Sequence, residues 1–223
     1  MPTSHFNQIN EIMTIIDRVG PKKVLDIGPG FGKYGVLMRE MLEFTNPEKN
    51  YLEREIQIDC IEIFEEYLTN LHRYIYDNIY IGNAVELVPD LKTIYDLVIL
   101  IDIIEHLEYN EGKRLIESCL SISKNVLIST PRINPPQGIE FGNINETHRF
   151  QWKKKHFEQF DQSLYFFPNW YSIICLMGES ANSVKNKLWK ISLITRIYNF
   201  PFKFMMLVKQ LFKPESARVR IYK

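Results

Sequence analysis

A chain of 223 residues that is 45% hydrophobic and 24% charged is globular, with room for one large domain and an appendage. Its three cysteines, Cys60, Cys119 and Cys175, stand far apart in apolar runs, which argues against a disulfide framework or zinc knuckle and for buried thiols in a reducing compartment. Formal charge is zero overall, but residues 1–183 hold 17 Lys and Arg against 26 Asp and Glu, whereas residues 184–223 hold 10 against Glu215 alone: an acidic body with a basic, aromatic-rich tail suited to targeting or docking.

The N-terminal MPTSHFNQIN lacks the apolar stretch of a signal peptide, and no apolar run reaches the ~18 residues of a spanning helix, so a cytoplasmic protein is expected. Phe6, Ile9, Ile12, Met13, Ile16 and Val19 form a helical stripe that predicts a helix capped by Ser4 and ended by Gly20-Pro21. A strand follows at Lys23–Ile27. The chain then turns through Gly28, Gly30 and Gly32 and restarts as a helix running to about Phe44, stopped by Asn46-Pro47. Glu55–Ile63 reads as a strand ending near Glu62, Phe64–Ile75 as a helix, and Asn78–Ile81 as a short strand before Gly82-Asn83-Ala84. Tyr95–Ile101 (YDLVILI) has almost no alternation, as a parallel strand covered on both faces requires. Gly112–Ser121 is helical, and Asn125–Ser129 is a further buried strand ending at Thr130-Pro131. After a loop over 132–147 and a short helix at 153–160, Ser163–Phe167 and Ser172–Met177 predict an antiparallel hairpin around Pro168-Asn169.

Strands alternating with helices predict an open, mostly parallel α/β sheet. Ligands on such sheets sit beyond the strand carboxyl ends, where this chain carries Gly28, Glu62, Asn83, Asp102 and Thr130. The glycine spacing is G-x-G-x-G, with Lys33 at the sixth position where a dinucleotide fingerprint needs glycine. Asp26, two residues before Gly28, is awkward beside a pyrophosphate and suits a cationic ligand, while Glu62 suits a pair of ribose hydroxyls. The alternative is a tight βα connection with no ligand.

The stretches VLDIGPGFG (24–32), CIEIF (60–64), IGNAVEL (81–87), YDLVILIDIIEHL (95–107) and VLISTP (126–131) resemble the class I S-adenosylmethionine-dependent methyltransferases over residues 20 to 178. The resemblance implies a Rossmann-like sheet of seven strands, the last antiparallel, with helices on both faces. It also implies S-adenosylmethionine as cofactor, with Gly28, Gly30 and Gly32 passing close to its amino-acid part. Asp26 would hold the amino end, Glu62 the ribose, Asn83 and the Ala84 N–H the adenine, and Asp102 and Ile103 would lie beside the methionine part. His106 and His148 are candidates for the acceptor chemistry, since an oxygen or nitrogen nucleophile needs a base near neutral pKa; His106 can also simply begin a helix. Arg149 and Trp152 would bind substrate. The segment 136–152 resembles a bacterial subgroup with a Pro-rich loop, a Gly-Asn pair, a His and a Trp, and implies no particular substrate.

A second, partial resemblance is to the small-RNA 2′-O-methyltransferases, in which an acid-x-x-Glu-His element and a later His hold a divalent metal. Asp102, Glu105, His106 and His148 match in type and order, with Asp102 standing where that family has Glu and Gln151 where it has Glu before Trp152. The main reading has no metal. Its acceptor is a small molecule, a sugar or a lipid-linked precursor. The rivals are a metal-assisted RNA 2′-O-methyltransferase and a non-catalytic cofactor-binding module that recruits a partner. In the tail, Pro201 splits helices expected at 184–199 and 202–213. The second sets Phe204, Leu207, Val208, Leu211 and Phe212 against Lys203, Lys209 and Lys213, which suits a peripheral membrane interface. Docking on the acidic body or on a dimer partner is the alternative, and nucleic acid ranks behind both.

Overall fold

In the computed structural model of the protein, residues 3–43 and 53–188 are described. Seven strands form one sheet: β1 (Lys23–Ile27), β2 (Gln57–Glu62), β3 (Asn78–Ile81), β4 (Leu97–Ile101), β5 (Asn125–Pro131), β6 (Leu164–Phe167) and β7 (Ser172–Gly178). Their order is β3-β2-β1-β4-β5-β7-β6. Strands β1 to β5 are parallel, and β7 runs antiparallel to both β5 and β6. This is the expected open sheet with its terminal hairpin. The order reverses between β1 and β4, and that switch point is where ligands lodge on such sheets.

The helices are α1 (Ile9–Val19), α2 (Lys33–Glu43), α3 (Asn70–Ile75), α4 (Ala84–Leu87), α5 (Tyr109–Ser121) and α6 (Lys154–Phe157). Alternation along the strands splits the core in two. Leu25, Ile27, Val98, Leu100, Val126 and Ile128 pack with Leu115, Ile116 and Cys119 of α5. The opposite set, Val24, Leu97, Ile99 and Leu127, is also fully buried, as are Ile12, Ile15, Ile16 and Met38 of α1 and α2. Both faces are therefore covered, which is why the central strands read as continuous apolar runs.

Three local expectations are corrected. The first helix opens with a 3-10 turn, Phe6–Gln8, capped by His5 Nδ1, which accepts from the Asn7 N–H at 3.2 Å; Ser4 is occupied elsewhere, against Lys33. The helix expected over 64–75 is broken into a 3-10 turn (Glu65–Tyr67) and α3, because Thr69 caps α3 through the Leu71 N–H and His72 Nδ1 reaches back to the Thr69 N–H at 3.1 Å. The short helix α4, absent from the sequence reading, is capped by Asn83.

The compact unit that carries the sheet ends at Val184. The expected stop at Asn46-Pro47 and the tail helices over 184–199 and 202–213 lie, all but residues 184–188, outside the described residues. No helix among the described residues is long and apolar enough to cross a membrane.

Candidate functional site

The carboxyl ends of β1, β2, β3 and β4 open onto a cavity of about 470 Å³. At its centre the chain leaves β1 through Gly28, Gly30 and Gly32, whose φ angles of 68°, 55° and 81° suit glycine. Two bonds fix this turn: Gly28 N–H donates to Ile61 C=O and Gly32 N–H to Pro29 C=O, both at 2.9 Å. His72 adds a third. Its Nδ1 accepts from Thr69, so Nε2 carries the proton and donates to Gly30 C=O at 2.8 Å. Gly28 and Gly30 line the cavity. Gly32 does not: its C=O accepts from the Val36 N–H, so it serves the turn and the start of α2.

Asp26 and Glu62 line the cavity at the ends of β1 and β2 and are nearly inaccessible. Burial pushes the Asp26 carboxyl up to about 7 against the Tyr76 hydroxyl, which donates to its Oδ2 at 2.6 Å, and the Glu62 charge pushes the same way as burial. Burial also pushes Glu62 up to about 7, opposed by backbone N–H groups such as that of Phe64, which donates to Oε1 at 2.9 Å. In both cases the leading cause is burial, which disfavours the charged carboxylate.

Asn83 and Ala84 line the same cavity. Asn83 Oδ1 already accepts the Val85 N–H at 2.9 Å, so it keeps one lone pair for a ligand rather than being wholly free. Ala84 opens α4, where a backbone N–H lacks a helical partner. Ile103 also lines the cavity, and it explains Gly28: a Cβ on Gly28 would meet Ile103 Cδ1 at 2.1 Å.

Asp102 lines the cavity, but its carboxylate is spoken for. Its backbone stands at φ 55°. Oδ2 accepts from Gln8 Nε2 at 2.6 Å and Oδ1 from the Ser129 hydroxyl at 2.9 Å, while that hydroxyl also reaches Gln8 Oε1. The metal set of the rival reading therefore loses one member. Among the described residues, Glu105, His106 and His148 bring ligand-type atoms within 4.8 Å of one another, without Asp102.

These three fit a divalent ion. Glu105 is 1% exposed and its Oε2 has no hydrogen-bond partner; burial drives its carboxyl well above the usual range, with the Asp102 charge adding. Burial pushes His106 down to about 4, with His148 adding, so its ring is neutral. His106 Nδ1 lies 3.3 Å from Thr147 C=O, and His148 Nδ1 lies 2.7 Å from Pro135 C=O. An Nδ1–H donated to each carbonyl leaves Nε2 of each ring with its lone pair, the usual support for a metal-binding imidazole. One carboxylate and two imidazoles form a donor set for Mn or a similar ion.

Arg149 lines the cavity, and its N–H donates to Glu105 C=O at 2.8 Å. Trp152 does not reach it. The expected substrate contact is corrected: the indole is fully buried, stacked on Phe157, and its N–H donates to Ile104 C=O at 2.9 Å. Sequence reasoning missed Lys33, Gln8, His72 and Tyr76. For His72 alone there was a legible signal, the Thr69-x-x-His72 spacing of a capping box.

No protein-family model matches the chain, and no curated protein sequence matches it. Solved structures do. The methyltransferase domain of bacterial CtHen1 superposes with a TM-score of 0.53 at 19% identity, covering 78% of this chain and 98% of that one. An O-methyltransferase family protein from Burkholderia thailandensis gives 0.55 at 12% identity, over 78% of this chain and 57% of that one. The N-terminal domain of EvdMO1, in the presence of SAH and D-fucose, gives 0.55 at 10% identity, over 79% and 84%. At these identities the likeness shows the fold, and the chain has the Rossmann-like fold of the class I methyltransferases.

Proposed function

We propose that this protein is an S-adenosylmethionine-dependent methyltransferase acting on a hydroxyl of a small molecule, a sugar or a lipid-linked precursor. The observation that carries the reading is the placement of Asp26 and Glu62, both buried acids, on one cavity with the glycine turn. A sulfonium cofactor bearing an ammonium group supplies positive charge to pair with them. SAH in the EvdMO1 domain supports the same cofactor.

On this reading the glycine turn lets the cofactor backbone approach, Glu62 accepts from the ribose hydroxyls, and the first turn of α4 meets the adenine. The acceptor enters beside His106 and His148. Methyl transfer forms the acceptor O–CH₃ bond as the S–CH₃ bond breaks, leaving a neutral thioether, and the hydroxyl proton passes to an imidazole Nε2. Positioning supplies much of the rate. Were a divalent ion held by Glu105, His106 and His148, both Nε2 atoms would be taken by it, and the ion would replace the imidazole base by polarising the acceptor oxygen and lowering the pKa of its hydroxyl.

The cavity wall carries Asp26, Glu62, Asp102, Glu105, Glu111 and Glu146, a poor surface for a polyanion. Ile133, Ile139, Phe141 and Ile144 on the acceptor-side loop are exposed, which favours an acceptor with an apolar part. The second reading, a metal-assisted RNA 2′-O-methyltransferase, draws on the Glu105–His106–His148 cluster and on the likeness to the CtHen1 domain.

The test is transfer of labelled methyl from the cofactor into cell extract, fractionated into lipid, glycan, RNA and small molecules, with and without chelator. Label in the first, second or fourth fraction supports the main reading, and label in RNA supports the second. Cofactor binding with no label anywhere leaves a binding module. A place in the cytoplasm, peripheral at a membrane through residues 184–223, is part of the proposal; liposome flotation unchanged by removing that segment would count against it.

A further inference from the structure

The cofactor's amino-acid end carries a carboxylate as well as an ammonium group, and the acids that suit the cationic parts repel it. Two Lys or Arg side chains line the described cavity, Lys33 and Arg149. Arg149 follows His148 on the acceptor side. Lys33 is the first residue of α2, directly after Gly32, so its ammonium stands at the positive end of an eleven-residue helix beside the glycine turn.

What Lys33 touches is informative. Its Nζ donates to the backbone carbonyl of Ser4 and lies 3.2 Å from Ser4 Oγ. Ser4 sits on a strap, Thr3–His5, that forms part of the cavity wall. The strap is pinned from outside: the His5 ring stacks on Tyr171 at 3.9 Å, Asn169 Nδ2 donates to Asn7 C=O at 2.9 Å, and Gln8 is bound to Asp102 and Ser129. The strap thus presents a carbonyl oxygen and a hydroxyl to an ammonium group at the edge of the cavity. Two oxygens on one ammonium is the arrangement a carboxylate makes.

We propose that Lys33 is the residue that binds the carboxylate of the cofactor's amino-acid part, together with backbone N–H groups in the first turn of α2, and that Ser4 holds the place of that carboxylate in the cofactor-free chain. The inference rests on the methyltransferase reading. It also accounts for Lys33 where a dinucleotide fingerprint has glycine: the side chain is used. Asp102 nearby keeps the ammonium charged against the burial that favours its neutral form.

Titration calorimetry on the full chain tests this with two ligands, S-adenosylhomocysteine and 5′-methylthioadenosine, which lacks the amino-acid part. A charge-assisted hydrogen bond corresponds to a tenfold to hundredfold change in affinity. Lys33→Met is expected to weaken S-adenosylhomocysteine by about that factor and to leave methylthioadenosine within about twofold. Lys33→Arg, which keeps the charge, is expected to recover most of the loss. Unchanged S-adenosylhomocysteine affinity in Lys33→Met, or an equal loss for both ligands, overturns the inference while the methyltransferase reading stands. A wild-type chain that binds neither ligand overturns both.

Discussion

Trp152 donates its indole N–H to the carbonyl of Ile104 at 2.9 Å, tying the chain beyond the acceptor-side loop to the turn that carries Glu105 and His106. The N–H groups of Arg149 and Phe150 reinforce the tie by donating to Glu105 C=O at 2.8 and 3.2 Å. Trp152→Phe would keep a ring in the core but leave the Ile104 carbonyl with only the Leu107 N–H at 3.2 Å. Loss of one buried hydrogen bond costs about 1–2 kcal/mol. Chemical denaturation is expected to show that loss, and methyl transfer is expected to fall further than cofactor affinity, because the displaced turn bears the acceptor-side residues. Equal losses in turnover and affinity would speak against this positioning role.

Cofactor affinity should rise with pH through neutrality. Asp26 and Glu62 sit at about 7, well above their usual values. In the cofactor-free chain they bind protons between about pH 4 and 7 that the unfolded chain releases, so their contribution to stability falls as pH rises through that window. A cationic ligand beside them favours the ionised forms, so binding below pH 7 releases protons and tightens as pH rises, levelling off above. The expected slope is up to about tenfold per pH unit for each proton released. Calorimetry between pH 6 and 8, repeated in buffers of different ionisation heat, measures both slope and proton count. A flat profile would mean that these carboxyls do not meet the cation.

What could be read from the sequence was what short-range patterning controls. The bounds of β1 and β3, the terminal hairpin and the polar strand ends followed from apolar periodicity and from Gly and Pro positions. The gathering of Glu62, Asn83 and Asp102 on one cavity followed from their place at strand ends, whereas His106 and His148, which line the same cavity, were singled out only through the resemblance to methyltransferases. Contacts between residues far apart in the chain were not readable. Nothing in Gln8 announces a bond to Asp102, 94 residues away, or to Ser129, 121 away, and so only the structure removes Asp102 from the metal set of the rival reading. Trp152 misled for a related reason: beside His148 and Arg149 it reads as part of a binding rim, yet its ring fills the space opposite Gly112, where a Cβ would meet it at 2.5 Å. Lys33 was passed over because only the fold brings Ser4 to it.

Gly28 should tolerate no side chain. Its φ of 68° lies in the left-handed region, which costs an L-residue roughly 1–2 kcal/mol, and a Cβ would stand 2.1 Å from Ile103 Cδ1. Gly28→Ala is expected to lower Tm by about 2–8 °C from the backbone cost alone, at about 2–4 °C per kcal/mol for a chain of this size, and to weaken cofactor binding. Adding Ile103→Ala removes the clash but not the backbone cost, so it should restore part of the Tm. A Gly28→Ala chain as stable as wild type would contradict the close approach of β4 to the glycine turn.

On the metal-assisted reading, divalent-ion binding should be visible without any turnover. Glu105 Oε2 is buried with no partner, and an ion that binds only the folded chain raises its stability by about 2.7 kcal/mol at a concentration one hundred times its Kd. Manganese added to the wild-type chain is expected to raise Tm, and EDTA to reverse the rise. Glu105→Gln keeps the side-chain shape but loses the charge, so its Tm should not respond. An equal manganese response in wild type and Glu105→Gln would remove Glu105 from the ligand set.

His148 separates acceptor chemistry from cofactor binding. Its Nδ1 is engaged by Pro135 C=O at 2.7 Å, and its ring centroid lies 5.0 Å from that of His106, while Asp26, Glu62 and the glycine turn belong to the ends of β1 and β2. Removing a base or an ion ligand beside the acceptor costs roughly 100- to 10,000-fold in rate. His148→Ala is therefore expected to lose at least about 100-fold in methyl transfer while keeping S-adenosylhomocysteine affinity within about threefold. The partner substitution His106→Asn should behave alike on the proposed reading, since the two ring centroids lie 5.0 Å apart. Turnover that survives in His148→Ala would move the acceptor chemistry away from this pair, and a parallel loss of cofactor affinity would assign His148 to the cofactor instead.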